Sequence, residues 1–169
     1  MAQHLIDPCD VEKYARPCDC DDHIVVRAIE EAELLDIKPK IGDALFLRIS
    51  EEPQAYDELL SGGQYEDCSG NERSFVGLKR TLAYYTWARL VKTAPNHLTR
   101  FGFVQKRDEH SAATEFRERQ VAYNDAFAIA DSYARQCIDY IQSDPGKFPE
   151  YGLKGRISAN RTIFRIIGN

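Results

Sequence analysis

Long apolar runs are missing from this 169-residue chain. None approaches the roughly 18–20 uninterrupted apolar residues of a membrane-spanning helix, which excludes a helical span. The opening stretch, Met1 to Cys20, lacks a basic start followed by a long apolar block, so it does not read as a secretory leader. Cysteines are few and odd in number: Cys9, Cys18, Cys20, Cys68 and Cys137. Without a leader they predict free thiols in a reducing compartment rather than a disulfide framework. A basic balance is lacking too, since the formal net charge is −5. That argues against a general nucleic-acid binder. Phosphate loops and nucleophile elbows are also missing: Gly62-Gly63 is followed by no Lys-Ser/Thr, and no Gly-x-Ser-x-Gly turn occurs. Asn160-Arg161-Thr162 has the form of a glycosylation acceptor, which carries no weight without secretion. No internal repeat is visible.

What is present fits a soluble globular protein, with 43% apolar and 29% charged residues. The expected organisation is one compact helical domain over 22–143, with an N-terminal arm over 1–21 and a C-terminal arm over 144–169.

Proline and glycine are absent from Ala112 to Gln142, and this stretch predicts the organising element. Phe116, Tyr123, Ala126, Ala130, Tyr133, Cys137 and Ile141 recur at steps of three and four. That spacing sets them on one face of a long helix, roughly 45 Å at about 1.5 Å per residue. Pro145-Gly146 ends it.

Ahead of it, Met1 to Asp21 shows no helical period and predicts an extended arm, loosely ordered or pinned by a partner. Asp21 or Asp22 is placed to cap a helix to about Leu35, with Ile24, Val25, Ile29, Ala32 and Leu35 as its apolar stripe. Pro39 separates that helix from a second one carrying Ile41, Ala44, Leu45 and Ile49. Pro53 opens a short helix that Gly62-Gly63 terminates. Gln64 to Phe75 predicts a small hairpin with Ser69-Gly70-Asn71 at its tip. Val76 to Thr93 returns to helical spacing, and Arg100 to Gln105 looks extended, ready to pair within the chain or with another subunit.

Charge is unevenly placed. Met1 to Asp36 holds ten acidic residues against three basic ones, whereas Ser143 to Asn169 holds five basic against two acidic. Two solvated tails account for this as readily as opposed ends that meet within or between molecules. The last segment also carries Ile163, Phe164, Ile166 and Ile167 outside any evident amphipathic helix, so burial somewhere is expected, a strand or short helix docked on a neighbour being one outlet.

Chemistry is sparse. Cys18, Cys20 and His23, with Cys9 nearby, supply zinc-type donors. A one-residue gap between the thiols lacks the usual turn, however, and no second Cys/His pair follows, so free thiols in an arm are the plainer reading. His97 and His110 lie near Asp108 and Glu109, with no pocket implied by their spacing. No catalytic constellation stands out, and a non-enzymatic assembly component without cofactor is expected.

Two stretches carry a resemblance. Ile29-Glu30-Glu31-Ala32-Glu33 through Ile37-Lys38-Pro39-Lys40-Ile41-Gly42-Asp43-Ala44-Leu45 resembles the opening helix pair of phage head–tail connector (adaptor) proteins. The second stretch begins at Leu60-Ser61-Gly62-Gly63-Gln64-Tyr65-Glu66 and runs through Phe75-Val76-Gly77-Leu78-Lys79 and Ala83-Tyr84-Tyr85. It continues as Thr99-Arg100-Phe101-Gly102-Phe103-Val104-Gln105-Lys106-Arg107-Asp108-Glu109 and then Asn124 to Asp131. This is similar to head–tail adaptors, or neck-ring proteins, of crAss-like and related tailed phages and prophages of Bacteroidetes. The likeness spans Ile24 to Ile141, about two thirds of the chain, and leaves both arms uncovered.

The resemblance implies a mainly α fold and a structural virion role without catalytic residues. Such proteins form a ring, commonly of twelve subunits, beneath the portal. The ring extends the DNA channel without sequence-specific binding and docks the next neck or tail protein. It implies location at the head–tail interface of the virion, and in the host cytoplasm during assembly. On that footing Arg161, Ile163, Phe164, Arg165, Ile166 and Ile167 are expected at a subunit or portal interface, and Glu66, Asp67 and Glu72 at the lumen or a ring contact. The alternatives are a neck stopper or tail-completion protein and, more remotely, a small metal-dependent regulatory module.

Overall fold

A computed structural model describes residues 4–93, 96–99, 102–105 and 116–153, with side-chain surroundings for 4–93 and 116–151. The fold is mainly α, with two small antiparallel hairpins among the described residues and a long helix near the C-terminal end. The helices are α1 (Pro8–Tyr14), α2 (Asp22–Ala32), α3 (Lys38–Ile41), α4 (Asp43–Glu51), α5 (Asp57–Ser61), α6 (Leu78–Thr93) and α7 (Phe116–Ser143). The strands are β1 (Gly63–Glu66), β2 (Glu72–Phe75), β3 (Asn96–Thr99) and β4 (Gly102–Gln105).

The helix at the centre is α6 rather than the longer α7. Leu78, Thr81, Leu82, Ala83, Tyr85, Thr86, Ala88 and Leu90 are all buried, so α6 is covered around its circumference. It packs against α7, α2, α1 and α5. Along α7 the residues facing it include Ala126, Ala130, Ala134 and Cys137, whose small side chains let the two helices approach closely. Tyr85 meets Phe127 edge-on at 5.1 Å and Tyr84 meets Tyr133 at 5.5 Å, so rings fill the space on either side. Phe116, expected on the inner face of α7, is 75% exposed. It lies at the very start of α7, ahead of the turns that bury Ala126 and Ala130.

The N-terminal segment is not an extended arm. Asp7 caps α1 by accepting from the Asp10 backbone N–H, while Asp10 returns a bond to the Asp7 N–H. Leu5, Ile6 and Val11 are buried, and α1 lies across α6 and α2. Seven residues are too short for helical periodicity to show, and the partner surface on α6 supplies the stability instead. Beyond α1, Arg16 pairs with Asp125 of α7 at 2.7 Å and lies 5.0 Å over the Trp87 ring. The segment thus straps the central helix to its neighbours.

The Pro39 expectation also needs correction. The chain stays helical from Asp22 to Ile41, passing through a π-helical turn at Glu33–Ile37. Lys38 donates its N–H to the Glu33 carbonyl, five residues back. That wider turn accommodates a proline ring that would clash with the carbonyl four residues back in a regular helix. The break comes at Gly42, with φ +89°. The extra residue in the turn also rotates the stripe: Glu33, Asp36 and Ile37 are buried, while Leu34 and Leu35 face outward. Asp21 precedes α2 as expected, but it caps through its backbone carbonyl and not its side chain.

The hairpin forms as expected, pairing Gly63 with Phe75 and Glu66 with Glu72. β3 and β4 form a second antiparallel hairpin within the chain, between α6 and α7, pairing Asn96 with Gln105. The C-terminal arm begins later than position 144. Phe148 is 2% exposed, and the 3-10 turn Pro149–Leu153 packs against α4.

Candidate functional site

One element outside the helices is the β1–β2 hairpin, and its position follows from a few residues. Alternation along the strands puts Tyr65, Arg73 and Phe75 on one side and Gln64, Glu66, Glu72 and Ser74 on the other. On the inner side Phe75 stacks on Tyr140 of α7 with ring centroids 4.1 Å apart, and Tyr65 meets Tyr140 edge-on at 5.2 Å. Phe148 closes the cluster, 5.5 Å from Tyr140 and 6.2 Å from Tyr56. Lys147 ties it off, donating to the Tyr140 hydroxyl at 2.7 Å and to the Glu58 carboxylate. The Lys147 bond, followed by that from Tyr140, holds the Glu58 carboxyl below its ordinary range.

The three acidic hairpin residues have different situations. Asp67 is enclosed by its own turn: its carboxylate accepts from the Ser69 N–H at 2.9 Å, the Asn71 N–H at 3.0 Å and Arg73 Nε at 3.1 Å. The Asn71 backbone bond leads in drawing its pKa down to about 2, with Arg73 and Ser69 adding to it. Asp67 is therefore a turn-builder rather than a free surface charge. Glu66 and Glu72 sit directly opposite each other on the outer side, both exposed, with no ion-pair partner among the described residues. Like charges in that position oppose pairing of the strands.

Between the hairpin and the last turns of α7 lies an open cleft of about 490 Å³, bordered by Tyr65, Arg73, Gln136, Asp139 and Gln142. Its walls offer amides and charges for hydrogen bonding to a polar surface. Cys68, Ser74 and Ser143 also line it, and among the described residues no hydrogen bond joins any of them to a histidine or a carboxylate.

The thiol-rich segment folds as part of the strap. Cys18 and Cys20 are half-buried against the core, Cys9 is exposed on α1, and His23 is exposed on the first turn of α2. Burial, then the neighbouring Cys20 thiol, pushes the Cys18 thiol up to about 11. Among the described residues, no three His, Cys, Asp or Glu side chains converge as a metal site. His97 falls on β3, whose side chains lie outside the described residues, as do His110 and the expected interface residues Arg161, Ile163, Phe164, Arg165, Ile166 and Ile167.

Two buried carboxylates at the π-turn go beyond what the sequence pattern signals. Glu33 accepts the Leu5 N–H at 2.7 Å and lies 2.9 Å from His4 Nδ1. Asp36 accepts from Arg89 Nε at 2.8 Å, and Arg89 also reaches Glu31 at 3.4 Å. A third tie joins the same region to α7: Asp131 receives the Tyr85 hydroxyl at 2.5 Å and Lys40 Nζ at 2.8 Å. Burial and then the Asp131 bond raise the Tyr85 pKa. These groups pin elements together, and none faces the cleft. Their one signal in the sequence is acidic residues in a stretch otherwise reading as amphipathic helix.

No helix among the described residues is long and apolar enough to cross a membrane. Comparison with curated proteins and with solved structures finds no match. Residues 37–161 match a family model whose description is "Family of unknown function (DUF6712)".

Proposed function

The chain belongs to the DUF6712 family, whose role is unknown, and we propose that it is a structural virion protein of the head–tail connector type. In this reading it forms a ring between portal and tail, commonly of twelve subunits. The ring lengthens the DNA channel and presents a platform to the next neck or tail protein. The observation that carries the proposal is where the adaptor-like residues fall. Leu60 to Glu66 and Phe75 to Lys79 run from the end of α5 through the two hairpin strands into the start of α6, and so seat the hairpin lobe on the aromatic end of α7. Such a lobe suits a platform role.

The exposed Glu66 and Glu72 suit a surface near passing DNA, since an acidic wall repels phosphate and lets the duplex slide. Asp67 does not share this role, because its charge is spent on the turn. The C-terminal residues Ile163, Phe164, Ile166 and Ile167 remain the proposed anchor on a neighbour or on the portal, with Arg161 and Arg165 orienting it. The N-terminal segment is no longer a docking arm here, since it folds onto its own α6.

Mass measurement of the purified chain with and without portal protein, followed by imaging of the complex, tests the proposal. Ring formation at the portal is the expected result, lost on deletion of 161–169. A chain that ignores the portal and is absent from assembled particles overturns it. Replacing Glu66 and Glu72 by Gln is expected to alter DNA retention without altering the fold.

A further inference from the structure

Cys18 and Cys20 have no part in the connector reading. They lie between α1 and α2, with only Asp19 separating them. Residues two positions apart are never more than about 7 Å from Cα to Cα, close to the reach of a disulfide. Both thiols are free, and both residues are half-buried against the core. The Cys18 thiol shares a hydrogen bond with the Cys20 thiol and accepts another from the Cys20 backbone N–H, which sets the two sulfurs against each other. The other cysteines sit apart from this segment along the chain: Cys9 on α1, Cys68 in the β1–β2 turn and Cys137 buried on α7. The segment also reaches the centre of the fold. Trp87 of α6 donates its Nε1–H to the Pro17 carbonyl at 3.5 Å, and Arg16 lies over the same ring while pairing with Asp125.

We propose that Cys18 and Cys20 form a thiol-modification site, a dithiol that a small disulfide oxidises to a reversible bond between the two. Cys20 attacks first, because burial and the neighbouring thiol keep the proton on Cys18. Its thiolate bonds to one sulfur of the reagent, the reagent's S–S bond breaks, and the departing thiolate takes up the proton that Cys20 lost. The Cys18 thiolate then attacks the Cys20 sulfur and expels the second half of the reagent, which takes up the Cys18 proton. Two protein thiols are thus oxidised to one disulfide, and the reagent is reduced to two thiols. The single intervening residue makes the closed ring small and strained, so added thiol reopens it, unlike a structural disulfide. Asp19, Asp21 and Asp22 are exposed around the pair, and their charge favours a cationic disulfide over an anionic one at low salt. Closing the ring draws Cys18 towards Cys20 and shifts the adjoining Pro17 carbonyl, so oxidation reaches Trp87. The site is a property of the single chain and does not depend on the ring.

The test treats the full chain with cystamine, a cationic disulfide, at low salt and maps the products by mass spectrometry. A bond between Cys18 and Cys20 is expected, two hydrogens lighter than the dithiol and reopened by dithiothreitol. Cys9 and Cys68 are expected to carry reagent adducts instead. Cys18→Ser is expected to trap the reagent on Cys20, because the thiol that would displace it is gone. Cys20→Ser is expected to leave Cys18 slower to react than that trapped Cys20 by about tenfold or more, since burial still disfavours its thiolate. Trp87 is the chain's one tryptophan, and its emission is expected to shift with the fraction of wild type oxidised and to stay fixed in Cys20→Ser. Glutathione disulfide, which is anionic, is expected to react several-fold more slowly than cystamine, a gap that high salt closes. Adducts on both cysteines with no bond between them, or a bridge from either to Cys9, overturns the pairing. A bond that forms without moving the Trp87 emission overturns the link to the central helix, and equal rates for the two reagents overturn the charge preference.

Discussion

Gly62 and Gly77 face each other across the base of the hairpin so closely that neither position has room for a Cβ. One built on Gly62 falls 2.5 Å from the Val76 carbonyl carbon, and one built on Gly77 falls 2.5 Å from the Leu60 carbonyl oxygen. Both have positive φ, +85° and +84°. The crossing lets the chain leave α5, form the hairpin and enter α6 within a short length, which seats Phe75 on Tyr140.

Gly62→Ala and Gly77→Ala are each expected to cost about 3 kcal/mol, from the left-handed backbone and from a clash with backbone atoms that cannot step aside. Gly63→Ala is the control, since a Cβ at that position meets nothing within 4 Å. Thermal melts of the three variants check this, and equal melting temperatures would remove the account of the hairpin base.

Arg89 holds Asp36, whose side chain is 7% exposed. Arg89→Met leaves that carboxylate buried without its cation and is expected to cost about 3 kcal/mol. Adding Asp36→Leu to the same chain is expected to recover most of the loss, because it removes the stranded charge. Urea unfolding of the two single variants and the double variant measures the coupling. Additive effects would mean that Glu31 and solvent, not Asp36, take up the guanidinium.

The Asp67 turn has a defined pH window. Its folded pKa of about 2 lies below the ordinary carboxylate value near 4, so the unfolded chain takes up the proton first. The bonds to Ser69, Asn71 and Arg73 therefore support the turn fully above about pH 4 and are lost as pH falls towards 2. Amide signals of Ser69 and Asn71 are expected to shift through that window by NMR, and Asp67→Asn to abolish the shift. A midpoint at ordinary carboxylate pH contradicts the caged geometry.

Thiol reactivity separates the cysteines. Burial pushes the Cys137 thiol up to about 11, and Cys18 is pushed up to about 11 by burial and by Cys20. Cys9 and Cys68 are exposed. At pH 8 a thiol reagent is expected to label Cys9 and Cys68 first and to leave Cys18 and Cys137 until the chain unfolds. Mass mapping of the labelled sites reads the order, and early labelling of Cys137 would contradict the packed α6–α7 seam.

What is legible in the sequence is local. The i, i+3, i+4 spacing locates α2, α4, α6 and α7 to within a few residues, and Ser69-Gly70-Asn71 locates the hairpin turn. These signals are local because a helix or a tight turn is decided by neighbours a few positions apart. The Glu66 and Glu72 surface is legible too. Asp67 is not separable from them by sequence, since a side chain folding back on its own turn leaves the same acidic letter.

Sequence alone determined a mainly helical chain with one hairpin lobe, unlike ends and no recognisable catalytic motif. Tertiary structure decided that α6 is the centre, that α1 straps it, and that the π-turn buries Glu33 and Asp36 while turning Leu34 and Leu35 outward. The physical reason is that burial depends on which surfaces meet. Arg89, His4 and the Leu5 N–H reach the π-turn from positions tens of residues away, and no periodicity within a helix encodes such a partner.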